Sequence, residues 1–393
     1  MDISKLKPGT KAVWGGETKL FESGSHTIPI FNTVTFAYND LDDWYDSALG
    51  KREGHIYSRN TNPTVAVLEE KMALLERTEE ATSFSTGMAA ISNTLFALLR
   101  PGNRVVTIKD TYGGTSRLFL EFMPEFGVEV TLCDTEDHDQ LVGEIGKGCD
   151  LVYIESPTNP TLKIIDIARI AQASKAAGAI SVIDNTFSSP VNQNPHELGI
   201  DLVIHSATKY LGGHSDTLCG LVCGSRELIQ KIFAFREING ASLHAQTAYD
   251  VIRGMKTLEL RVLRQNESAL KIARYLNDHP KIENVFYPGL ESHPGHDIAR
   301  KQMSGFGGIL SFELRGGYEA VKTMLHNLEL VHLAASLGSV TTLAGPPRTT
   351  SHVELTEAQR ADLGIPESLV RYSVGIENAG DLIDDLENAL NKV

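Results

Sequence analysis

The chain has 393 residues, and 36 Lys and Arg against 50 Asp and Glu leave a formal charge of −14. That acidic balance argues against nucleic acid or an anionic membrane as the main partner. No run of about 18 apolar residues offers a transmembrane helix, and the polar stretch from Met1 to Thr10 lacks the apolar core of a signal peptide.

The first sixty residues are irregular, and 24–62 read as an extended arm rather than a core element. Pro63 then opens a helix whose Val67, Leu68, Met72, Leu74 and Leu75 form an apolar stripe. From about 80 to 230 short apolar runs predict buried strands: Arg104–Ile108, Val128–Leu132, Leu151–Ile154, Ile180–Ile183, Leu202–Ile204 and Leu221–Cys223. Helical stretches lie between several of them, at Ala89–Leu99, Thr115–Phe126 and Ile165–Ala177. Such alternation predicts an α/β fold with a mostly parallel sheet covered on both faces. In these sheets ligands bind beyond the carboxyl ends of the strands, so chemistry is sought just after each one.

A long helical pattern follows, roughly Ala248 to Leu276, and then the character changes. Strands at Val285–Tyr287 and Gly308–Leu314, with helices at Tyr318–Asn327 and Asp381–Leu390, predict a smaller C-terminal α/β domain. The expected division is an N-terminal arm over 1–62, a large domain over 63–255 and a small domain over 256–393. Four cysteines, at 133, 149, 219 and 223, are too sparse for a disulfide scaffold. Without a second Cys/His pair at zinc spacing they read as buried thiols, no metal is expected, and a reducing, cytoplasmic setting follows.

Five places carry chemistry-bearing residues. Ser85-Thr86-Gly87-Met88 opens a helix, where free amides and the positive dipole end suit a phosphate; an ordinary N-cap reads the same way. Tyr112-Gly113-Gly114 could stack an aromatic on a flat ligand, or form a simple turn. Asp184 ends a buried strand, where a lone carboxylate is costly unless something pairs with it. A protonated ring nitrogen of a cofactor is one such partner. Lys209 follows another strand between the hydroxyls of Ser206 and Thr208 and the pair Gly212-Gly213. Burial would lower its pKa and permit a Schiff base. Arg371 interrupts an apolar alternating run, as a carboxylate clamp or as a salt bridge between domains. Neither a P-loop nor a G-x-G-x-x-G fingerprint is present. The ordered set fits pyridoxal 5′-phosphate on an aminotransferase type I-like fold.

On these residues the sequence resembles the Cys/Met-metabolism pyridoxal-phosphate enzymes, among them cystathionine γ-synthases, cystathionine γ-lyases and methionine γ-lyases. The resemblance runs from about Thr27 to the end. It rests on Gly54–Arg59, Asn62-Pro63-Thr64, Thr86–Ile91, Asp110–Thr115, Glu155–Pro160, Ile183–Phe187, the Lys209 run, Ala335–Gly338 and Val370–Gly375. It implies that Lys209 holds the cofactor covalently, that Asp184 faces the pyridine nitrogen, and that Tyr112 stacks on the ring and serves as an acid–base group. It implies phosphate ligands at Gly87, Met88, Ser206 and Thr208, a ligand of the phenolic oxygen at Asn159, and substrate contacts at Arg371, Ser336 and Thr341. Tyr57 and Arg59 would reach the phosphate of a neighbouring subunit, so a dimer, usually paired into a tetramer, is implied.

The implied reaction is γ-elimination on an L-amino acid with a γ-heteroatom, releasing 2-oxobutanoate and ammonia. The alternative is γ-replacement on an acylated homoserine. A cofactor-binding protein that has lost turnover is a further alternative. Several positions depart from family patterns. Gly114 stands where methionine γ-lyases usually carry Cys, and Thr341 stands where many members carry Glu. The segment from Arg236 and Glu237 to Ala241, the pair His244-Ala245 and the run from Gly345 to His352 also differ. Arg348 within that run could meet an anionic substituent or form a surface ion pair.

Overall fold

The computed structural model describes residues 2–17, 24–353 and 355–393. Met1 and residues 18–23 of the expected arm lie outside them. Two sheets organise the chain. The larger has seven strands: β1 Glu80–Phe84, β2 Arg104–Ile108, β3 Glu129–Cys133, β4 Leu151–Glu155, β5 Ile180–Asp184, β6 Leu202–Ser206 and β7 Gly220–Gly224, in the order β1-β7-β6-β5-β4-β2-β3. The four pairings among β2 to β6 are parallel, and β7 runs antiparallel to both β1 and β6. The central strands carry apolar residues toward both faces because both are covered. Val106, Val152, Ile183 and Val203 enter one core, while Val105, Leu151, Val182 and Leu202 enter the other.

The smaller sheet comprises β8 Ile282–Phe286, β9 Ile309–Leu314, β10 His332–Leu333, β11 Leu343–Gly345 and β12 Leu369–Ser373, in the order β10-β11-β12-β9-β8. It is antiparallel apart from the β10–β11 pair and has its own core around Phe312, Tyr372, Met324 and Leu386. Thus the α/β class with a mostly parallel sheet and a second, smaller one holds.

The predicted strands all form, within one or two residues of their expected ends, except that the one expected over Val285–Tyr287 starts three residues earlier, at Ile282. The long helix expected over Ala248–Leu276 is instead two, Ala245–Met255 and Leu258–Asn277. The break has a packing cause. A Cβ on Gly254 would lie 2.2 Å from the Gly212 oxygen, so this helix end abuts the turn that follows Lys209. Buried Arg261 then donates to the carbonyl oxygens of Gly254 and Tyr210, at 2.8 Å each, closing the gap. The stretch expected as one helix over Thr115–Phe126 is irregular, with a π-helical segment Leu118–Phe122 between short α-helical pieces.

The arm is less extended than expected. Asp40 caps a helix, Leu41–Ala48, by accepting from the main-chain N–H groups of Asp42 and Asp43 at 2.9 Å. Its large apolar side chains face outward: Leu41 is 77% exposed and Tyr45 62%. The helix Pro63–Glu76 starts as expected, capped by Asn62 with Pro63 in its first turn. Among the described residues no helix is long and apolar enough to cross a membrane.

The parallel strands and β1 deliver their carboxyl ends to one edge, and β7 begins there. Gly220 of β7 faces both Phe84 and Ser206, and a Cβ on it would sit 2.1 Å from the Thr86 oxygen. Gly220→Ala is therefore expected to push the Thr86 turn off β7. It should lower unfolding free energy by about 1–3 kcal/mol, measured by denaturant melts of the purified protein; an unchanged midpoint would contradict this packing.

Candidate active site

The edge of the large sheet and the small sheet enclose a cavity of about 340 Å³. Gly87, Met88, Tyr112, Asn159, Asp184, Ser206, Thr208, Lys209, Ser336 and Arg371 all line it. Residues far apart in sequence meet because each follows a strand end at the same edge or belongs to the β10–β12 region. Tyr57 and Arg59 do not line this cavity; the Arg59 guanidinium lies over the Tyr57 ring at 5.0 Å. Thr341 also lies outside it, exposed, with its hydroxyl 3.3 Å from that of Ser339.

One end is built for an anion. Thr86 caps the helix Gly87–Leu98 through its hydroxyl, which accepts from Ala89 N–H at 3.0 Å. The first amides of that helix have no intrahelical acceptor. Gly87 must lack a side chain, since a Cβ would lie 2.8 Å from Ser206 Cβ and 2.9 Å from its Oγ. The cradle of Gly87, Met88 and Ser206 therefore offers main-chain amides and a hydroxyl, groups that suit a phosphate. The Thr208 hydroxyl is engaged with Cys219, accepting from its N–H at 3.1 Å.

The middle of the cavity holds the titratable groups. Asp184 accepts from Thr186 N–H at 2.9 Å, and burial raises its pKa from the ordinary carboxylate value. Lys209 Nζ donates to Ser336 Oγ at 2.8 Å. Burial, with the nearby Arg371 charge, lowers the Lys209 pKa to about 8. A far larger share of it is then neutral near pH 7 than of a solvated lysine, whose ordinary pKa is 10.5. Arg371 is buried and donates to Asn159 Oδ1 and to the Ser336 carbonyl oxygen, both at 2.9 Å. Burial lowers its pKa to about 10, so it stays charged at neutral pH. Ser336 thus touches both cations, and does so at φ 105°, a conformation that favours glycine.

The fit to pyridoxal phosphate follows from these positions. An amide cradle too close for a Cβ, a carboxylate at a strand end and a largely enclosed amine of lowered pKa are the groups that cofactor requires. A match to the Cys/Met metabolism PLP-dependent enzyme model covers residues 9–391. The chain belongs to this family. It is 44% identical to an L-methionine gamma-lyase of Fusobacterium nucleatum subsp. polymorphum, over the full length of both. Its fold matches cystathionine gamma synthase from Xanthomonas oryzae pv. oryzae, solved with aminoacrylate and cysteine, at a TM-score of 0.94, with 37% identity and 98% of each chain covered. It also matches cystathionine gamma-lyase from Lactobacillus plantarum, complexed with L-serine, at 0.93, with 38% identity and 99% of each chain covered. The protein is accordingly a pyridoxal-phosphate enzyme of amino-acid metabolism, in a family of lyases and synthases.

Within the family frame some departures gain a physical account. A side chain at Gly114 would press on both the Tyr112 ring and Met88, its Cβ lying 3.0 Å from Tyr112 Cε1 and 3.0 Å from Met88 Sδ. Arg348 does not line the cavity; it pairs with Glu367 and lies over the Tyr318 ring at 4.1 Å. Arg236 is buried in contacts with Glu69, Thr82 and the Asn60 and Ser83 carbonyls, so it ties the arm to the large sheet.

Three positioning groups escape sequence reading. Arg261 holds the turn after Lys209 by its carbonyls. Glu76 and His205 are both buried and joined at 2.5 Å beneath the end of β6, and Glu76 also accepts from Asn185 at 3.0 Å. Glu155, at the end of β4, accepts the main-chain N–H of Tyr112.

The Lys209 environment predicts how the apoprotein takes up cofactor. Only the neutral amine attacks an aldehyde, so the capture rate should rise with pH and level off above about 8. A rate still climbing toward the ordinary lysine value of 10.5 would show a solvated amine. Stopped-flow absorbance of the bound cofactor measures it.

Proposed function

We propose that the protein catalyses γ-elimination on an L-amino acid with a heteroatom leaving group on its γ carbon. The substrate is of the methionine, cystathionine, canavanine or homoserine-derivative type. The substrate and one water become 2-oxobutanoate, ammonia and the protonated leaving group. The observation that carries this reading is the Lys209 amine, poised near neutrality and bonded to Ser336 beside the buried guanidinium of Arg371.

Bound in this cavity, pyridoxal phosphate supplies an electron sink that makes protons next to the amino group removable. The rest is work for the chain. Arg371 takes the α-carboxylate in a charge-assisted fork, assisted by Ser336. Lys209 removes the α proton and shuttles it, its lowered pKa matching a base at neutral pH. Tyr112 gives a proton to the departing γ heteroatom. Asp184 holds the pyridine nitrogen, Asn159 the phenolic oxygen, and Gly87, Met88, Ser206 and Thr208 the phosphate. Tyr57 and Arg59 complete the phosphate site of a neighbouring subunit, and the exposed apolar side chains of the arm supply contact surface for such a dimer. The four unpaired thiols support a reducing, cytoplasmic setting.

A second reading is γ-replacement, favoured by the fold likeness to a cystathionine gamma synthase. One assay separates them. Oxo-acid release is measured from methionine, cystathionine, homocysteine, canavanine and acylated homoserines, each with and without cysteine. Release without a thiol is the expected result. Consumption of an acylated homoserine only when cysteine is present would replace elimination with γ-replacement.

Two variants test the residue roles. Arg371→Gln should lower kcat/KM by about a hundredfold, near the upper range for a hydrogen bond to a charged group. Arg59→Ala should weaken cofactor retention during gel filtration, and full occupancy after the column would count against a shared site.

A further inference from the structure

Glu155 is the one cavity carboxyl without a role in the reading above. It is 6% exposed and ends β4, in register with Asp184 at the end of β5. Paired residues of adjacent strands point to the same face, so two carboxyls stand side by side there. Such a pair resists double ionisation.

The surroundings decide which partner carries the charge. Asp184 receives the Thr186 N–H, and His205 and Lys209 lie close enough to favour its anion. Glu155 faces Asp184 on β5, Tyr153 on its own strand, and Tyr112 and Asp110 after β2. None of these is a cation. Lys163 is committed to Asp110 at 3.2 Å. Burial first, then Asp184 and Asp110, push the Glu155 pKa well above the ordinary range, outweighing the bonds from the Tyr112 N–H and the Tyr153 hydroxyl, which lower it.

Its bonds point to what it holds. The Tyr112 N–H sits astride both Glu155 oxygens, at 3.0 and 3.1 Å, and the Tyr153 hydroxyl is 3.4 Å away. Tyr112 as a residue is 43% exposed and lies outside the buried core, which leaves its main-chain bonds as its anchor. On the other side, the Tyr112 carbonyl accepts from Ser116 N–H at 2.8 Å. We propose that Glu155 is a positioning residue acting as an uncharged carboxyl: it anchors the Tyr112 main chain over the cofactor site and leaves the charge of the pair on Asp184. This rests on the roles given above to Tyr112 and Asp184, but not on the choice of leaving group.

The test uses the holoenzyme and Glu155→Gln, Glu155→Asp and Glu155→Ala. Three quantities are read without substrate: visible circular dichroism of the bound cofactor, cofactor Kd by titration of the dialysed protein, and thermal unfolding of the apoprotein. Gln keeps an acceptor and carries no charge, so its dichroism band and Kd should match those of the parent. Asp and Ala cannot reach the Tyr112 N–H, so the band should shrink and Kd weaken about tenfold, the cost of a buried group left unpaired. A Gln variant as impaired as Ala, with normal apoprotein unfolding, would show that the charge is needed and overturn the proposal. Parental dichroism and Kd in both Asp and Ala would overturn it from the other side. Should Ala not fold, Asp against Gln carries the comparison. Because no substrate enters these readouts, an error in the assigned elimination reaction would leave them unaffected.

Discussion

Cations buried on neutral oxygens are the constraint from which the site follows. A buried charge normally calls for an opposite charge, and a salt bridge then consumes it. Here Arg371 is held by the Asn159 amide oxygen and the Ser336 carbonyl, and Lys209 by the Ser336 hydroxyl. Arg261 is held by the carbonyls of Tyr210, Leu211 and Gly254 and by the Thr257 hydroxyl. Dipoles steady these groups without cancelling them. The Arg371 charge stays unneutralised, and it helps keep Lys209 from holding its proton tightly. Lys71 is the contrast: fully buried and paired with Glu17 at 3.0 Å, it spends its charge on tying residues 12–17 to the large core.

This arrangement needs two sheets. The large one brings Gly87, Tyr112, Asn159, Asp184 and Lys209 to one edge through parallel strand ends. The small one brings Ser336 and Arg371 from the other side. Ser336 is the meeting point, and its positive φ shows that the surrounding fold imposes its conformation. Gly220 and Gly254 serve the same end by subtraction, since each lets main chain approach the cofactor turns more closely than any side chain would permit.

Much of this was legible in the sequence, because apolar runs and their following residues carry both the strands and the site. The central strands declared themselves by burial on both faces, and the residues just past their ends line the cavity. What was not legible has physical reasons. The strand Glu80–Phe84 is too polar to stand out, and it forms through pairing with β7. The helix Arg226–Asn239 mixes charges with apolar residues, and buried Arg236 is indistinguishable in sequence from a solvated one. Arg261 hides in the same way within an amphipathic helix. Glu155 stood inside a recognised motif, yet its bonds to Tyr112 depend on strand register, which no local pattern encodes. Tyr57, Arg59 and Thr341 were singled out by resemblance alone and lie outside this chain's cavity.

The spread of the site along the chain has a consequence for biosynthesis. Ribosomes deliver Lys209 well before Ser336 and Arg371. The hydroxyl of Ser336 and the charge of Arg371, which bond and perturb the Lys209 amine, therefore arrive only with the last third of the chain, so the environment that lowers its pKa is complete only when the small sheet has formed.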